Sequence, residues 1–305
     1  MQISIIIPVY NYGRYLKRAI DSAIEQQSLD PEILVIDDGS TDDTWEIMQS
    51  YGLRIRALRQ ANSGVSAARN RAIAEASGDL IGFLDADDFY HPDKLKKQIA
   101  LLTSRPDCGW TYCDCKFYDE DTNTFCLFSE RYKYKEKLAL DGPRLFESLI
   151  PSNFISPLPL LVRKECLDKA GAFDKRFSGI EDFDFVLRLA ASAPAVYSPE
   201  VLATYTWHSE SLGKNQTRMD HDKQIILDKI ASLYPEKIRN CGKAAKKALA
   251  NMNNWFAYRH IEKQEWKEAA RRLQISLTTY PLQRRALWVL LLTLIQVVRN
   301  PLVRG

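Results

Sequence analysis

The segment Leu80-Ile81-Gly82-Phe83-Leu84 is apolar throughout and runs directly into Asp85-Ala86-Asp87-Asp88. So short a run without alternation has to be covered on both faces, which predicts a strand inside a sheet flanked by helices. Open sheets of this kind hold their ligands at the carboxyl ends of their strands. Three carboxylates crowd that end here, although capping a helix that starts near Pro92 would take only one. Asp85 and Asp87 alternate with Ala86, so in an extended segment both point the same way. Converging oxygens are what hard divalent cations prefer.

The chain around this strand repeats the same unit. Ile3 to Val9 reads as a strand, followed by a helix from Arg14 to Gln27 with Asn11 as its cap and an apolar stripe of Leu16, Ala19, Ile20, Ala23 and Ile24. Glu32 to Ile36 is a second strand. The turn Asp37-Asp38-Gly39-Ser40 then leads into a helix from Thr41 to Tyr51, with Ser40 as its cap. Ile55 to Arg59 reads as a strand and Val65 to Ala76 as a helix. Repeated βα units predict a parallel sheet with helices on both faces. After Cys115 a polar stretch from Asp119 to Lys137 reads as a surface hairpin or loop. Leu158 to Val162 is then a strand, Lys164 to Ala170 and Glu181 to Leu189 are helices, and Ala195 to Thr206 forms short strands. Beyond Met219 the chain reads as helical. Within that part Asn254-Trp255-Phe256-Ala257-Tyr258, Trp266-Lys267-Glu268-Ala269-Ala270 and Pro281 resemble one unit of a tetratricopeptide-type hairpin.

Charge divides the chain more sharply than composition does. Of its 305 residues, 46% are apolar and 27% charged, as in ordinary soluble proteins. From Lys223 onward there are 16 Lys and Arg against 5 Asp and Glu, whereas residues 1 to 222 carry 26 against 34. A basic tail meets anionic surfaces. Residues 286–298 are almost continuously apolar and are flanked by Arg284, Arg285 and Arg299. Thirteen residues are too few to span a bilayer as a helix. The segment therefore either lies at a membrane interface or packs against protein. The beginning of the chain reads as a first strand without a basic leader, so a cytoplasmic location is expected, with peripheral contact at the inner face of the membrane through residues 284–299. Cys108, Cys113, Cys115 and Cys126 lack the paired C-x-x-C spacing of a zinc site and read as reduced thiols beside a strand.

Five blocks in order carry a resemblance: Ile5-Ile6-Ile7-Pro8-Val9-Tyr10-Asn11, Val35-Ile36-Asp37-Asp38-Gly39-Ser40-Thr41-Asp42, Gly64-Val65-Ser66-Ala67-Ala68-Arg69-Asn70, Phe83-Leu84-Asp85-Ala86-Asp87-Asp88 and Glu181-Asp182. Over residues 3 to about 210 the chain resembles family 2 glycosyltransferases. The resemblance implies a GT-A fold, a Rossmann-like α/β domain over residues 1–215 with a basic helical appendage over 216–305. It implies an enzyme that binds a nucleotide-diphosphate sugar with Mn²⁺ or Mg²⁺ and transfers the sugar with inversion. In the nucleotide site it places Pro8, Tyr10, Asp38, Arg69 and Asp85, with Tyr10 stacking on the base and Asp38 accepting from a base N–H, which favours UDP or dTDP donors. It assigns the metal to Asp87, with His208 either a further ligand or an ordinary surface histidine, and the catalytic base to Asp182. Arg69 stands near the diphosphate or donor sugar, or is a solvated helix arginine.

Processive synthases of the family carry long membrane spans and a Q-x-x-R-W motif, which Gln283-Arg284-Arg285-Ala286-Leu287-Trp288 does not reproduce. Transfer of one sugar, in polysaccharide or glycolipid assembly, is the expectation. The acceptor is open, with a lipid-linked one favoured by the tail, and nucleic acid is not an expected partner. Two rivals remain. One is a binding adaptor that has lost turnover and acts through its tail. The other is a nucleotidyltransferase, whose glycine-rich phosphate loop is replaced here by Pro8-Val9-Tyr10-Asn11-Tyr12.

Overall fold

In the computed structural model, residues 1–26, 29–134, 136, 140, 142–209 and 216–281 are described. The chain forms two compact units, one of residues 1–146 and 153–226 and one of 147–152 with the chain from 227 onward.

In chain order the first unit contains β1 (Ile3–Val9), α1 (Gly13–Ile24), β2 (Glu32–Asp37), α2 (Thr44–Ser50), β3 (Arg56–Arg59), α3 (Val65–Glu75), β4 (Leu80–Phe83), β5 (Phe89–Tyr90), α4 (Lys94–Ser104), β6 (Trp110–Asp119), β7 (Thr124–Leu127) and α5 (Phe128–Arg131). There follow α6 (Gly142–Leu149), which runs into the second unit, β8 (Leu161–Arg163), α7 (Lys164–Ala170), α8 (Glu181–Ser192), β9 (Ala195–Trp207) and the first part of α9 (Gln216–Leu233). One sheet joins the strands in the order β3-β2-β1-β4-β8-β6-β9-β5, with β7 paired to β6. The first four strands are mutually parallel, and β8 runs against both of its neighbours.

Every residue of β1 and β4 is buried, as strands covered on both faces require. Ile3, Ile5, Ile7 and Val9 pack with Leu16, Ala19, Ile20 and Ala23 of α1. The intervening Ser4, Ile6 and Pro8 point to the other face by strand alternation. Registers Val9 to Asp37 and Ile6 to Phe83 align the carboxyl ends of β1, β2 and β4. The segments after these strands, including Tyr10, Asp38 and Asp85 to Asp88, therefore emerge along one edge.

Two expected caps are corrected. Asn11 lies at φ 53° and its Oδ1 accepts from the Thr41 N–H at 2.8 Å, so it closes a loop against β2 rather than capping α1. Ser40 likewise receives the Asn11 N–H on its Oγ at 2.9 Å, and α2 starts only at Thr44. The two polar side chains bind each other's loops, which competes with capping. The short strands expected near 195–206 are one strand of 13 residues, kept continuous by ten partners on β6 across an irregularity near Cys113 to Cys115.

The second unit contains the rest of α9, α10 (Pro235–Asn240), α11 (Lys243–Glu262) and α12 (Trp266–Thr279). α11 and α12 form the expected hairpin around Ala257, Ile261, Ala269 and Leu273, with Trp266 packed against them. Arg272, 2% exposed, pairs with Asp228 and Glu268. Among the described residues no helix is long and apolar enough to cross a membrane. The apolar segment 286–298 and its flanking arginines lie outside them.

Candidate active site

The edge formed by β1, β2 and β4 gathers the acidic residues. Asp38 is buried and its carboxylate is held by one loop: Oδ1 accepts from Gln60 Nε2 at 2.8 Å and from the Ser63 N–H at 2.9 Å, and Oδ2 accepts from the Gly64 N–H at 2.8 Å. It thereby shapes the loop that opens α3. Asp37 is fully buried, accepting the Ser40 N–H at 2.7 Å and pairing with Arg59 at 3.0 Å. Gly39, directly after them, lies at φ +82°, where a Cβ would stand 2.9 Å from the Asn62 nitrogen. Only glycine tolerates that turn. Tyr10, just past β1, leaves its ring 44% exposed, while Pro8 is buried opposite Ile36.

Arg69 is the most constrained side chain of the site. On α3 and 3% exposed, it sends Nη2 to Asp85 Oδ1 at 2.6 Å and Nη1 to Glu181 Oε1 at 2.9 Å, with its guanidinium 5.1 Å from the centre of the Phe173 ring. Burial pulls the guanidinium down, but the Asp85 and Glu181 carboxylates outweigh it and hold Arg69 above its ordinary value. One arginine thus joins the loop after β4 to the first turn of α8.

Next to Glu181 stands Asp182. Its Oδ2 accepts from Asn153 Nδ2 at 3.0 Å and its Oδ1 from the Phe183 N–H at 2.7 Å. Burial first, and then the neighbouring Glu181 charge, raise this carboxyl from 3.8 to about 7, against the lowering effects of the Phe183 N–H and Arg69. The helix is anchored beneath it by Phe183, Val186 and Leu187, each at most 3% exposed. A carboxylate that titrates near neutrality is suited to taking a proton.

Asp87 and His208 converge. Asp87 Oδ2 lies 3.1 Å from His208 Nε2, at the end of β9. The imidazole is 1% exposed and stacks on Tyr15 with ring centres 4.9 Å apart. Asp88 points elsewhere, its Oδ1 accepting the Thr206 N–H at 2.7 Å and so fastening β9 to the acidic loop. Burial, then Asp87 and Asp85, push its carboxyl well above the usual range.

The sequence model described as Glycosyl transferase family 2 matches residues 4–149. An uncharacterized glycosyltransferase of Rickettsia prowazekii is 32% identical over 209 residues, covering 68% of this chain and 64% of that protein. The chain belongs to glycosyl transferase family 2.

Within this family, the chondroitin synthase of Pasteurella multocida is 41% identical over 242 residues, which cover 78% of this chain but 24% of the synthase. The chain spans less than two thirds of the length of these curated relatives. Among solved structures, Staphylococcus aureus TarS in complex with UDP-GlcNAc has a TM-score of 0.68 at 20% identity, covering 90% of this chain and 82% of that one. A mannosyltransferase from Pyrobaculum calidifontis, solved with GDP-Man and Mn²⁺, has a TM-score of 0.60 at 17% identity, covering 98% and 81%. These likenesses concern the fold, which is the GT-A, Rossmann-like α/β fold with a helical C-terminal region.

Asp87 and His208 have the spacing of a metal pair. Two ligands of one octahedral Mg²⁺ or Mn²⁺ at adjacent positions stand ~3 Å apart, given bonds of about 2.1 Å, and Asp87 and His208 meet that spacing. A carboxylate oxygen with an imidazole nitrogen suits Mn²⁺ in particular. Among the described residues no group of three or more metal-ligating side chains is found. Asp87 and His208 alone would leave most of an octahedral shell to other oxygens, such as phosphate or water.

Of the residues expected from sequence, the structure unites Asp85 with Arg69, and Asp87 with His208. Asp38 is tied into the 60–64 loop and Arg69 into two ion pairs, with its buried Nε left without a partner among the described residues. Asn153, the partner of Asp182, was not foreseen. It lies between Pro151 and Pro157 in a stretch without periodicity, where an isolated asparagine carries no signal.

Proposed function

We propose that this family 2 chain is a metal-dependent inverting glycosyltransferase that moves one sugar from a nucleotide-diphosphate donor, UDP or dTDP favoured, to an acceptor hydroxyl. The observation that carries the reading is Asp182, a carboxyl raised to about 7 and tied through Glu181 and Arg69 to the donor-side Asp85. In transfer with inversion, the acceptor oxygen attacks the anomeric carbon while the bond from that carbon to the diphosphate oxygen breaks. Asp182 takes the proton released by the acceptor hydroxyl. Asp87 and His208 would hold the divalent ion, which when bound supplies positive charge to the leaving diphosphate. Tyr10, with its exposed ring at the end of β1, offers a stacking face for the base, and Pro8, Asp38 and Arg69 shape the nucleotide cleft behind it. Nucleotide-sugar ligands in the TarS and mannosyltransferase structures support a donor of this class.

The basic tail favours an acceptor presented at an anionic membrane surface on the cytoplasmic side, as in the assembly of cell-envelope polysaccharide or glycolipid. Flotation with anionic liposomes tests this, and failure of the intact chain to float would refute it. Turnover is tested by incubating UDP-, dTDP- and GDP-sugars with Mn²⁺ or Mg²⁺ and following release of the nucleoside diphosphate. Release that is metal-dependent and lost in Asp182→Asn supports the reading. Wild-type release by that variant refutes it.

A further inference from the structure

Beside the Asp87 and His208 pair, α1 and the residue after β6 border an open cavity of about 360 Å³ lined by Arg14, Tyr15, Arg18 and Glu120. Nothing in the proposed transfer uses it. Its lining sets two guanidinium groups against one carboxylate, and the Tyr15 hydroxyl donates to Glu120 Oε2 at 2.5 Å, so part of that carboxylate's accepting capacity is already occupied. Arg14 is exposed, with its guanidinium 4.5 Å from the centre of the Tyr15 ring. Arg18 is half-buried. Its Nη2 donates to the Asp87 main-chain oxygen at 2.6 Å and to Thr206 Oγ1 at 3.0 Å, while its buried Nε has no partner among the described residues. The Tyr15 ring is the face on which His208 stacks. The cavity is thus net positive, and one layer of side chains separates it from the candidate metal pair.

We propose that this cavity is an anion subsite for the acceptor, taking a carboxylate or a phosphate carried by the sugar or polyol that receives the transferred residue. The inference rests on the glycosyltransferase reading for the word acceptor, and on the cavity's own chemistry for the anion. Planar guanidinium groups match the oxygens of carboxylate and phosphate. Arg18 couples the subsite to the main chain of the Asp87 loop.

Binding of glucuronate and of glycerol phosphate is measured by calorimetry on the full chain saturated with UDP and Mn²⁺, with glucose and glycerol as uncharged counterparts. At least one charged probe should bind, and the one that does separates a carboxylate-bearing from a phosphate-bearing acceptor. Arg14→Glu, at an exposed position that folding tolerates, should weaken that binding by about fivefold or more and leave UDP affinity unchanged. Three results would each overturn the subsite: equal binding of charged and uncharged probes, no loss in Arg14→Glu, or binding seen without UDP but abolished when UDP is added. If UDP itself fails to bind the wild-type chain, the donor reading fails. The charged-probe measurement without nucleotide then decides the anion site on its own.

Discussion

Replacing Asp182 with asparagine should remove transfer and yet strengthen the fold in alkaline buffer. Its carboxyl titrates at about 7 in the folded chain against 3.8 ordinarily. Because the folded value is the raised one, the unfolded chain gives up this proton first, and stability is lost as pH rises from about 4 to about 7. Fully ionised, the group costs the fold roughly 4 kcal/mol, of which partial exposure to water leaves about 2. Asparagine escapes that cost. Its Oδ1 still accepts the Phe183 N–H, but its amide meets Asn153 Nδ2 donor to donor, so Asn153 must turn and loosen its 3.2 Å bond from the Ile155 N–H. That rearrangement costs about 1 kcal/mol. The net expectation is a variant about 1 kcal/mol more stable than wild type at pH 8.5 and about equal at pH 4.5. Urea unfolding of both proteins at the two pH values measures it, the difference between them cancelling every other titration. A gap that does not change with pH, or one that narrows as pH rises, would refute the burial argument. The same carboxyl predicts a wild-type kcat/KM that climbs with pH to a plateau with a midpoint near 7, and a fall of about 10²–10⁴-fold in Asp182→Asn.

Arg69→Gln should destabilise by about 3 kcal/mol, because it leaves the buried Glu181 and the partly exposed Asp85 without their cation. In residual activity the pH midpoint should move upward, since the Arg69 charge lowers the Asp182 carboxyl. Unfolding and pH–rate profiles read the two effects separately. Asp87→Ala and His208→Ala should each abolish the synergy between Mn²⁺ and UDP in thermal stabilisation, while UDP without metal stabilises them as it does wild type. Equal synergy in both variants would exclude the pair as the metal site. Gly39→Ala should cost about 1–3 kcal/mol from its left-handed backbone alone, with the Asn62 nitrogen 2.9 Å from the new Cβ adding to it. Urea unfolding would show it, and a neutral result would mean that the 60–64 loop gives way.

Much of the sheet was legible because β4 is apolar at every position and β1 at all but Ser4, and each is followed by polar punctuation. α8 was legible because Phe183, Val186 and Leu187 repeat at helical spacing under an acidic first turn. Caps were less so. Asn11 and Ser40 each have the right chemistry to cap the next helix, and only the meeting of two loops distant in sequence decides that they bind each other. The continuity of β9 was hidden for a similar reason, since it depends on a long partner in β6. At the site, motif residues could be named from sequence, but their environments could not. Nothing local marks Arg69 as enclosed between two carboxylates 16 and 112 positions away, nor does a lone asparagine announce itself as the neighbour of Asp182.

The bridge from Asp85 through Arg69 to Glu181 also limits how this scaffold can be altered. Donor preference and the basicity available to the acceptor are features that an engineer, or a lineage, would wish to change one at a time. Under the roles proposed for Asp85 and Asp182 they share a single guanidinium. A substitution at Asp85 that accommodates a different donor withdraws charge from Arg69, alters what Glu181 presents to Asp182, and so moves the pH at which the enzyme works. Viable changes at these positions are therefore expected in matched sets, with the loop after β4 and the first turn of α8 varying together.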